Sequence, residues 1–223
     1  MTSVGTSPSS PAIVEARPAA TVVVLRNGAR GPEVFMIRRH EASPFMPGAH
    51  VFPGGRLEDG ETAAAAAIRE LREETGIALS IGALTPFARW RTPVNEPRRF
   101  DTLFFAARMP GDQVPVHDPR ETTGCEWLTP AVAVSRALRR EILLPPPTWI
   151  TLREIEPYPD VEAIFAWART RAVAVREPQL VTCGDRRLLV VPGDPLCDER
   201  AAEPPRAETR FELDEGRWMA RSL

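Results

Sequence analysis

The sequence predicts an α/β protein, and three observations favour this class. Apolar, β-branched runs typical of strands precede and follow an Ala-rich segment at residues 63–67 that favours a helix. A second segment with helical periodicity follows at residues 130–140. Hydrophobic residues make up 43% of the 223-residue chain, which is enough for a substantial core. Strands with flanking helices are typical of α/β folds.

The first strands are predicted before the Ala-rich segment. Ala20–Arg26 and Glu33–Arg39 are β-branched or apolar runs, and Asn27-Gly28 and Gly31-Pro32 between them favour a hairpin or a short loop. Residues 1–16 are rich in Ser, Pro and Thr, so we expect a disordered tail there.

The Ala-rich helix is predicted to begin at Glu61 and Thr62, where a negative charge suits the helix dipole. Gly76 is expected to end it as a C′ glycine. Ala63–Ala67 have small side chains that suit close packing on a sheet. Before the helix, Pro53-Gly54-Gly55 predicts a tight turn whose backbone approaches a ligand closely.

The later elements are predicted from similar patterns. Strands are expected at Phe87–Arg91, Thr102–Arg108 and Cys125–Leu128, and a helix at Pro130–Arg140 that starts at its proline. These elements complete a core of residues 17–144.

Beyond Leu144 the pattern changes. Pro145-Pro146-Pro147 predicts a rigid link, and Asp160–Arg171 predicts a helix with an Asp cap. Arg187–Val191 and Arg210–Ala220 predict strands, the second turning at residues 214–216. We therefore expect an α+β extension at residues 145–223 that packs on the core.

Three carboxylates are the candidate catalytic cluster. Glu70, Glu73 and Glu74 have the spacing i, i+3 and i+4, which places them on one face of the predicted helix. Because like charges so placed repel, the cluster becomes favourable when Mg²⁺ or Mn²⁺ lies among them and bridges to phosphate oxygens. Arg69 is placed to pair with an acidic neighbour and hold the carboxylates in shape. A charged, exposed helix of a structural domain is the alternative.

This stretch resembles the Nudix box, G, five residues, E, seven residues, R-E-hydrophobic-x-E-E-x-G-hydrophobic. Every fixed position is filled, by Gly55, Glu61, Arg69, Glu70, Leu71, Glu73, Glu74, Gly76 and Ile77. The resemblance implies a loop-helix-loop on an α/β/α sandwich with a mixed sheet. It also implies hydrolysis of a nucleoside diphosphate linked to another group, with Mg²⁺ or Mn²⁺ as cofactor. The implied metal ligands are Glu70, Glu73, Glu74 and Gly55, and Glu70 is also a candidate general base.

Glu121 is a candidate fourth carboxylate. It lies five residues before Glu126-Trp127, and several Nudix enzymes carry a Glu at the equivalent distance on a loop that faces the box. The resemblance implies that Glu121 is a metal ligand or a base. An exposed loop acid is the alternative.

The flanking sequence resembles the branch of Nudix enzymes that cleaves coenzyme A (CoA) and acyl-CoA. The segments that carry this resemblance are Phe45–Gly55, Arg99–Thr102 with Phe104-Phe105, Pro145–Trp149 and Gly216–Trp218. The resemblance implies cleavage to 3′,5′-ADP and a 4′-phosphopantetheine product. ADP-ribose, NADH or a noncanonical nucleotide are alternative substrates, and a non-catalytic nucleotide-binding module is the alternative of another class.

A CoA signature of a sister branch is matched at Arg39, Gly48 and residues 52–55. Two positions differ from it: His40 stands where Ser or Ala is expected, and Pro44 stands where Arg is expected. The candidate substrate contacts are Arg38, Arg39, His50, Arg98 and Arg99. A local structural hydrogen bond is the alternative for His50, and a salt bridge to Asp101 or another nearby acid is the alternative for Arg99.

Composition excludes several classes of partner. A net charge of −2 argues against broad binding to nucleic acid or to anionic membranes. All 28 basic residues are Arg, whose planar guanidinium groups can bind phosphates. No apolar run approaches the roughly 20 residues of a membrane helix. The three scattered cysteines lack metal-binding or redox spacing. We expect a cytoplasmic protein that binds a nucleotide-type small molecule, and a homodimer remains open.

Overall fold

The computed structural model describes residues 13–43, 45–198, 200–201 and 208–221. Within them the chain forms twelve strands, four α-helices and a 3₁₀ helix at Ile81–Ala83. The helices are α1 (Ala63–Thr75), α2 (Pro130–Leu138), α3 (Pro146–Ile155) and α4 (Val161–Thr170). The strands are β1 (Arg17–Gly28), β2 (Gly31–Arg39), β3 (His50–Val51), β4 (Gly54–Arg56), β5 (Thr85–Arg91), β6 (Phe100–Arg108), β7 (Thr122–Leu128), β8 (Val175–Arg176), β9 (Gln179–Cys183), β10 (Arg186–Val190), β11 (Arg210–Asp214) and β12 (Arg217–Arg221).

The larger sheet is mixed, as predicted. Its strand order is β3-β2-β1-β6-β5-β8, and β4 pairs with β1 while β7 pairs with β2. β1 is antiparallel to β2 and parallel to β6, and it forms the centre of the sheet. Its apolar run from residue 19 to residue 25 is buried throughout, because helices cover both faces of the sheet.

The helices lie on opposite faces of this sheet. On one face, Val22 and Phe35 pack with Ala67 and Leu71 of α1. On the other, alternate strand residues join a larger cluster with α2, α3 and α4. This alternation follows from the two-residue period of a strand. The prediction of an α/β/α sandwich is therefore confirmed.

The glycine-rich turn before α1 lies where the strands β1 and β2 separate. β1 and β2 form the predicted hairpin, in which Gly28 pairs with Gly31. Further from the turn the two strands separate, so that β3 pairs with β2 and β4 pairs with β1. The N–H of Val22 also donates to the carbonyl of Pro53 at 2.9 Å. This arrangement fixes the backbone from which α1 starts.

The prediction of a rigid link at residues 145–147 is wrong beyond its first proline. Pro145 is the N-cap of α3 and Pro146 begins the helix. Proline is tolerated there because the first N–H groups of a helix have no partner within the helix. Trp149 of α3 and Phe165 of α4 belong to the buried cluster that also covers the main sheet.

A second, four-stranded antiparallel sheet has the order β12-β11-β10-β9 and contributes Leu189 and Phe211 to the same cluster.

Several short elements were not predicted from sequence. They are β8, β9 and the 3₁₀ helix, whose short segments carry little periodicity. The division of the chain at residue 144 stays a prediction. Residues 1–12 of the predicted tail lie outside the described residues, and β1 begins at Arg17. No helix in the described part is long and apolar enough to cross a membrane.

Candidate functional site

Helix α1 has both predicted ends. The hydroxyl of Thr62 caps its start by accepting from the N–H of Ala65 at 3.2 Å. Gly76 follows its end with a φ of 70°, a left-handed conformation that glycine adopts without strain. The thirteen residues between these caps carry the candidate carboxylates on turns whose positions the caps fix.

Glu74 is the most deeply buried of these carboxylates, with 4% of the residue exposed. Its Oε2 accepts a hydrogen bond from the N–H of Gly54 at 2.8 Å, which joins the helix to the glycine turn. Burial raises the pKa of Glu74 to about 8, and the negative charges of Glu70 and Glu121 act in the same direction. The positive charge of Arg39 opposes this shift but does not outweigh burial, so Glu74 is a desolvated carboxylate with incomplete charge compensation.

Glu70 lies beside the same turn. A Cβ at Gly55 would overlap its carboxylate, so only glycine leaves room for the observed arrangement. Burial raises the pKa of Glu70, although the adjacent guanidinium of Arg69 opposes this shift. Two partly desolvated acids thus face the backbone of residues 54 and 55.

Replacing Gly55 by Ala tests this close approach. We expect the new methyl group to displace the Glu70 carboxylate and to lower kcat about tenfold or more, because small displacements at a reacting centre are costly. Thermal stability should change little, since the flexible end of Glu70 can move. Gly111→Ala is the control, because a Cβ at Gly111 meets nothing within 4 Å. Unchanged turnover in Gly55→Ala would contradict the role of this contact.

Arg69 connects the carboxylates to the preceding loop. Its Nε and Nη2 donate to the two oxygens of Glu61 at 3.1 and 2.9 Å, and Nη2 also donates to the carbonyl of Arg56 at 3.0 Å. Its Nη1 donates to Glu70 at 2.9 Å and to Glu73 at 3.3 Å. Sequence analysis anticipated an acidic partner for Arg69 but assigned Glu61 only to the helix dipole.

The residue types of the site fit a divalent cation, since carboxylate and carbonyl oxygens are hard ligands. Glu74 is buried and accepts from the N–H of Gly54, and Glu70 lies against the backbone of Gly55, where a Cβ would overlap its carboxylate. The side chain of Glu73 is 59% exposed and points to Arg69. Within the described ranges, no three His, Cys, Asp or Glu side chains are gathered closely enough to hold a metal. Joint binding through Glu73 therefore requires its side chain to leave Arg69.

Glu121 lies at the turn before β7, on an exposed loop. Its carbonyl accepts from the N–H of His40 at 3.2 Å. Its negative charge contributes to the raised pKa values of both Glu70 and Glu74, so its carboxylate lies on their side of the molecule. The charge of Glu121 thus acts on two of the three box carboxylates.

Arg38 and Arg39, two candidate substrate contacts, have different surroundings. Arg39 donates to Ser43 at 3.0 Å and to the carbonyl of Phe45 at 3.1 Å, and its positive charge opposes the raised pKa of Glu74. Arg38 is exposed and pairs with Glu41 at 2.6 Å. Of this pair, Arg39 is therefore the residue whose charge acts on a box carboxylate. Pro44 lies outside the described residues.

His50 is buried in β3, before the glycine turn, and has a structural partner. Its Nε2 lies 3.1 Å from Glu126, which also accepts from Arg136 at 2.7 Å. Burial lowers the pKa of His50, and the ring nitrogen Nδ1 has no hydrogen-bond partner among the described residues. Sequence analysis missed Glu126 as this partner, because no sequence signal distinguishes it from a solvent-facing strand residue.

Arg98 and Arg99 differ in exposure. Arg98 is exposed, whereas Arg99 is only 6% exposed. Arg99 donates to the carbonyls of Val14 and Pro93 and to Glu177 at 2.6 Å. The alternative of an ion pair with a nearby acid thus describes Arg99, but the acid is Glu177. Asp101 binds Arg89 and Arg91 instead.

Comparison with known proteins gives one family. The model of the NUDIX domain matches residues 15–161. The chain is 32% identical to the acyl-coenzyme A diphosphatase NUDT19 of Homo sapiens over 117 residues, which cover 51% of this chain and 30% of that protein. It is 25% identical to the putative nudix hydrolase 7 of Caenorhabditis elegans over 233 residues, which cover 85% of this chain and 77% of that protein.

The fold has solved counterparts. The crystal structure of a NUDIX hydrolase from Alicyclobacillus acidocaldarius matches with a TM-score of 0.65 and 24% identity, covering 73% of this chain and all of that one. The matched region spans about a third of the length of the human diphosphatase, so the similarity concerns that region alone. The match of the domain model to most of this chain is decisive, and the chain belongs to the Nudix hydrolase family.

Proposed function

We propose that this chain is a Mg²⁺- or Mn²⁺-dependent diphosphatase that cleaves CoA or acyl-CoA into 3′,5′-ADP and 4′-phosphopantetheine or its acyl form. The observation that carries the reaction is the pair of partly desolvated carboxylates, Glu70 and Glu74, against the turn at Gly54 and Gly55. The substrate assignment is supported by the flanking sequence and by the similarity to the human acyl-CoA diphosphatase.

The proposed ligands of the cation are Glu70, Glu73, Glu74 and the backbone of Gly55, with Glu121 as a further carboxylate. A bound divalent cation supplies neutralisation of the pyrophosphate charge and a more acidic attacking water. Glu74 is held in place by the N–H of Gly54, and Arg69 holds Glu70 against the turn. Glu70 or Glu121 takes the proton of the attacking water in this proposal, since the negative charges of both acids act on Glu74.

Arg39 is the proposed contact for phosphate. Its positive charge acts on Glu74, and its present acceptors are a hydroxyl and a carbonyl rather than an acid. A phosphate is a stronger acceptor for a guanidinium than either group, because the hydrogen bond is charge-assisted on both sides. Arg99 is not proposed for this role, because its guanidinium is committed to Glu177 and three carbonyls.

A substrate panel tests the proposal. The purified protein would be incubated with Mg²⁺ or Mn²⁺ and with CoA, acyl-CoAs, ADP-ribose, NADH or nucleoside triphosphates, and kcat/KM would be measured for each. We expect the highest kcat/KM for a CoA substrate and a loss of turnover in Glu73→Gln. Glu162→Gln, which changes an exposed acid on α4, is the matched control.

The possible outcomes separate the alternatives. Preferential cleavage of ADP-ribose or NADH would keep the site chemistry and reject the CoA assignment. Binding of nucleotides without turnover under every condition would favour the non-catalytic binding module. The same panel followed by size-exclusion chromatography would show whether the active form is a homodimer.

A further inference from the structure

The loop that precedes Glu121 is fastened to the C-terminal end of α1. The N–H of Val116 donates to the carbonyl of Thr75 at 2.9 Å, and the N–H of Asp118 donates to the carbonyl of Glu74 at 3.0 Å. The amide of Gln113 exchanges two hydrogen bonds with the backbone of Ala78, at 2.8 and 3.0 Å. These contacts place the loop beside the last turn of α1, which carries Glu74.

Asp118 also builds the turn that ends at Glu121. Its Oδ1 accepts from the N–H of Arg120 at 2.9 Å, which is the side-chain-to-backbone bond of an Asx turn. Its carbonyl accepts from the N–H of Glu121 at 3.2 Å and from the N–H and hydroxyl of Thr122, both at 3.0 Å. Asp118 is therefore bonded both to the helix residue Glu74 and to the residues that hold Glu121.

The ion pair between Asp118 and Arg120 does not account for this arrangement. The two side chains approach to 2.8 Å, but that of Arg120 is 86% exposed whereas that of Asp118 is 16% exposed. A pair with one such exposed partner contributes little, because solvent screens it. The bond from the backbone N–H of Arg120 to the Asp118 carboxylate is the contact that shapes the turn.

We propose that Asp118 is a positioning residue, which through this turn fixes Glu121 relative to the end of α1 that carries Glu74. The inference rests on the proposed hydrolase function and on Glu121 as a participating acid. Asp118 itself contacts neither substrate nor cation in this proposal. Its side chain acts only by fixing the backbone from residue 118 to residue 122.

Three single variants test the role of the side chain. Asp118→Ala removes the acceptor of the turn, and we expect kcat to fall about tenfold with KM unchanged, since small displacements of an acting group are costly. Asp118→Asn keeps an oxygen that accepts from the N–H of Arg120, so it should retain kcat within about twofold. Arg120→Ala removes only the exposed guanidinium and should also stay within about twofold.

A double variant distinguishes positioning of Glu121 from a general loss of structure. Glu121→Gln should lower kcat by itself, and Asp118→Ala should cause no further loss in the Glu121→Gln background, because residues that act through one another are not additive. Equal losses in both backgrounds, or native kcat in Asp118→Ala, would overturn the inference. If Asp118→Ala does not fold, Asp118→Ser supplies a weaker acceptor in its place. The kcat of Asp118→Ser should be lower than that of the native protein and of Asp118→Asn, and higher than that of Glu121→Gln. Absence of turnover in the native protein on every substrate would instead reject the proposed function.

Discussion

Glu74→Gln is expected to lower kcat by about three orders of magnitude, because it removes one of the proposed charged ligands of the cation that would offset the developing phosphate charge. The amide oxygen of the new side chain can still accept from the N–H of Gly54, so the local backbone should be retained. Turnover would be measured with saturating Mg²⁺, and Glu162→Gln would serve as the control.

The same variant is expected to be more stable than the native protein when a chelator removes divalent cations. Glu74 has a pKa of about 8 in the folded chain against an ordinary value of 4.5, so its ionisation opposes folding. Between these two values the unfolded chain is ionised while the folded chain holds the proton, and native stability therefore falls as pH rises from about 4.5 to about 8. Gln has no such penalty.

Chemical denaturation at several pH values measures this difference. At pH 7 we expect Glu74→Gln to raise the free energy of unfolding by on the order of 3 kcal/mol, and at pH 4.5 the two proteins should be nearly equal. A variant that is less stable than the native protein at pH 7 without cations would contradict the buried, uncompensated state of Glu74.

Arg69→Ala is expected to impair both activity and stability. It removes two bonds to Glu61, one each to Glu70 and Glu73, and one to the carbonyl of Arg56. Glu61 and Glu70 lose their cationic partner, so we expect a lower free energy of unfolding than in the native protein. Because the position of Glu70 depends on this contact, kcat should fall about a hundredfold.

Arg69→Lys makes this test specific. A single ammonium cannot reproduce the planar, bidentate contact with Glu61, so this variant should recover part of the stability and little of the activity. Arg139→Ala is the control, since Arg139 pairs with Glu141 on the surface. Thermal unfolding and steady-state kinetics of the three variants would be compared. Full activity in Arg69→Lys would show that charge alone is required at this position.

The central parts of the fold could be predicted because their signals are local. The caps of α1 at Thr62 and Gly76, and the hairpin around Asn27 and Gly31, depend on turn and cap chemistry that neighbouring residues determine. The helix α3 was missed because a proline run favours an extended segment as strongly as it permits a helix to begin.

The site was predictable in its residue types and not in its contacts. The spacing of Glu70, Glu73 and Glu74 placed them on one helix, but their unequal burial depends on the turn at Gly54, which pairs with a distant strand. The engagement of Arg99 with Glu177 joins residues that are 78 positions apart, and no local pattern carries that information. The same reason explains why the partnership of His50 with Glu126 was not found from sequence.

The most direct test of the proposed reaction is the position of bond cleavage in CoA, measured by mass spectrometry after Mg²⁺-dependent hydrolysis in ¹⁸O-labelled water. Attack on the pyrophosphate predicts 3′,5′-ADP and 4′-phosphopantetheine, with one labelled oxygen incorporated into one of the two new phosphate groups, and loss of both products in Glu74→Gln. Release of labelled inorganic phosphate and dephospho-CoA, or intact CoA after exhaustive incubation, would contradict the account.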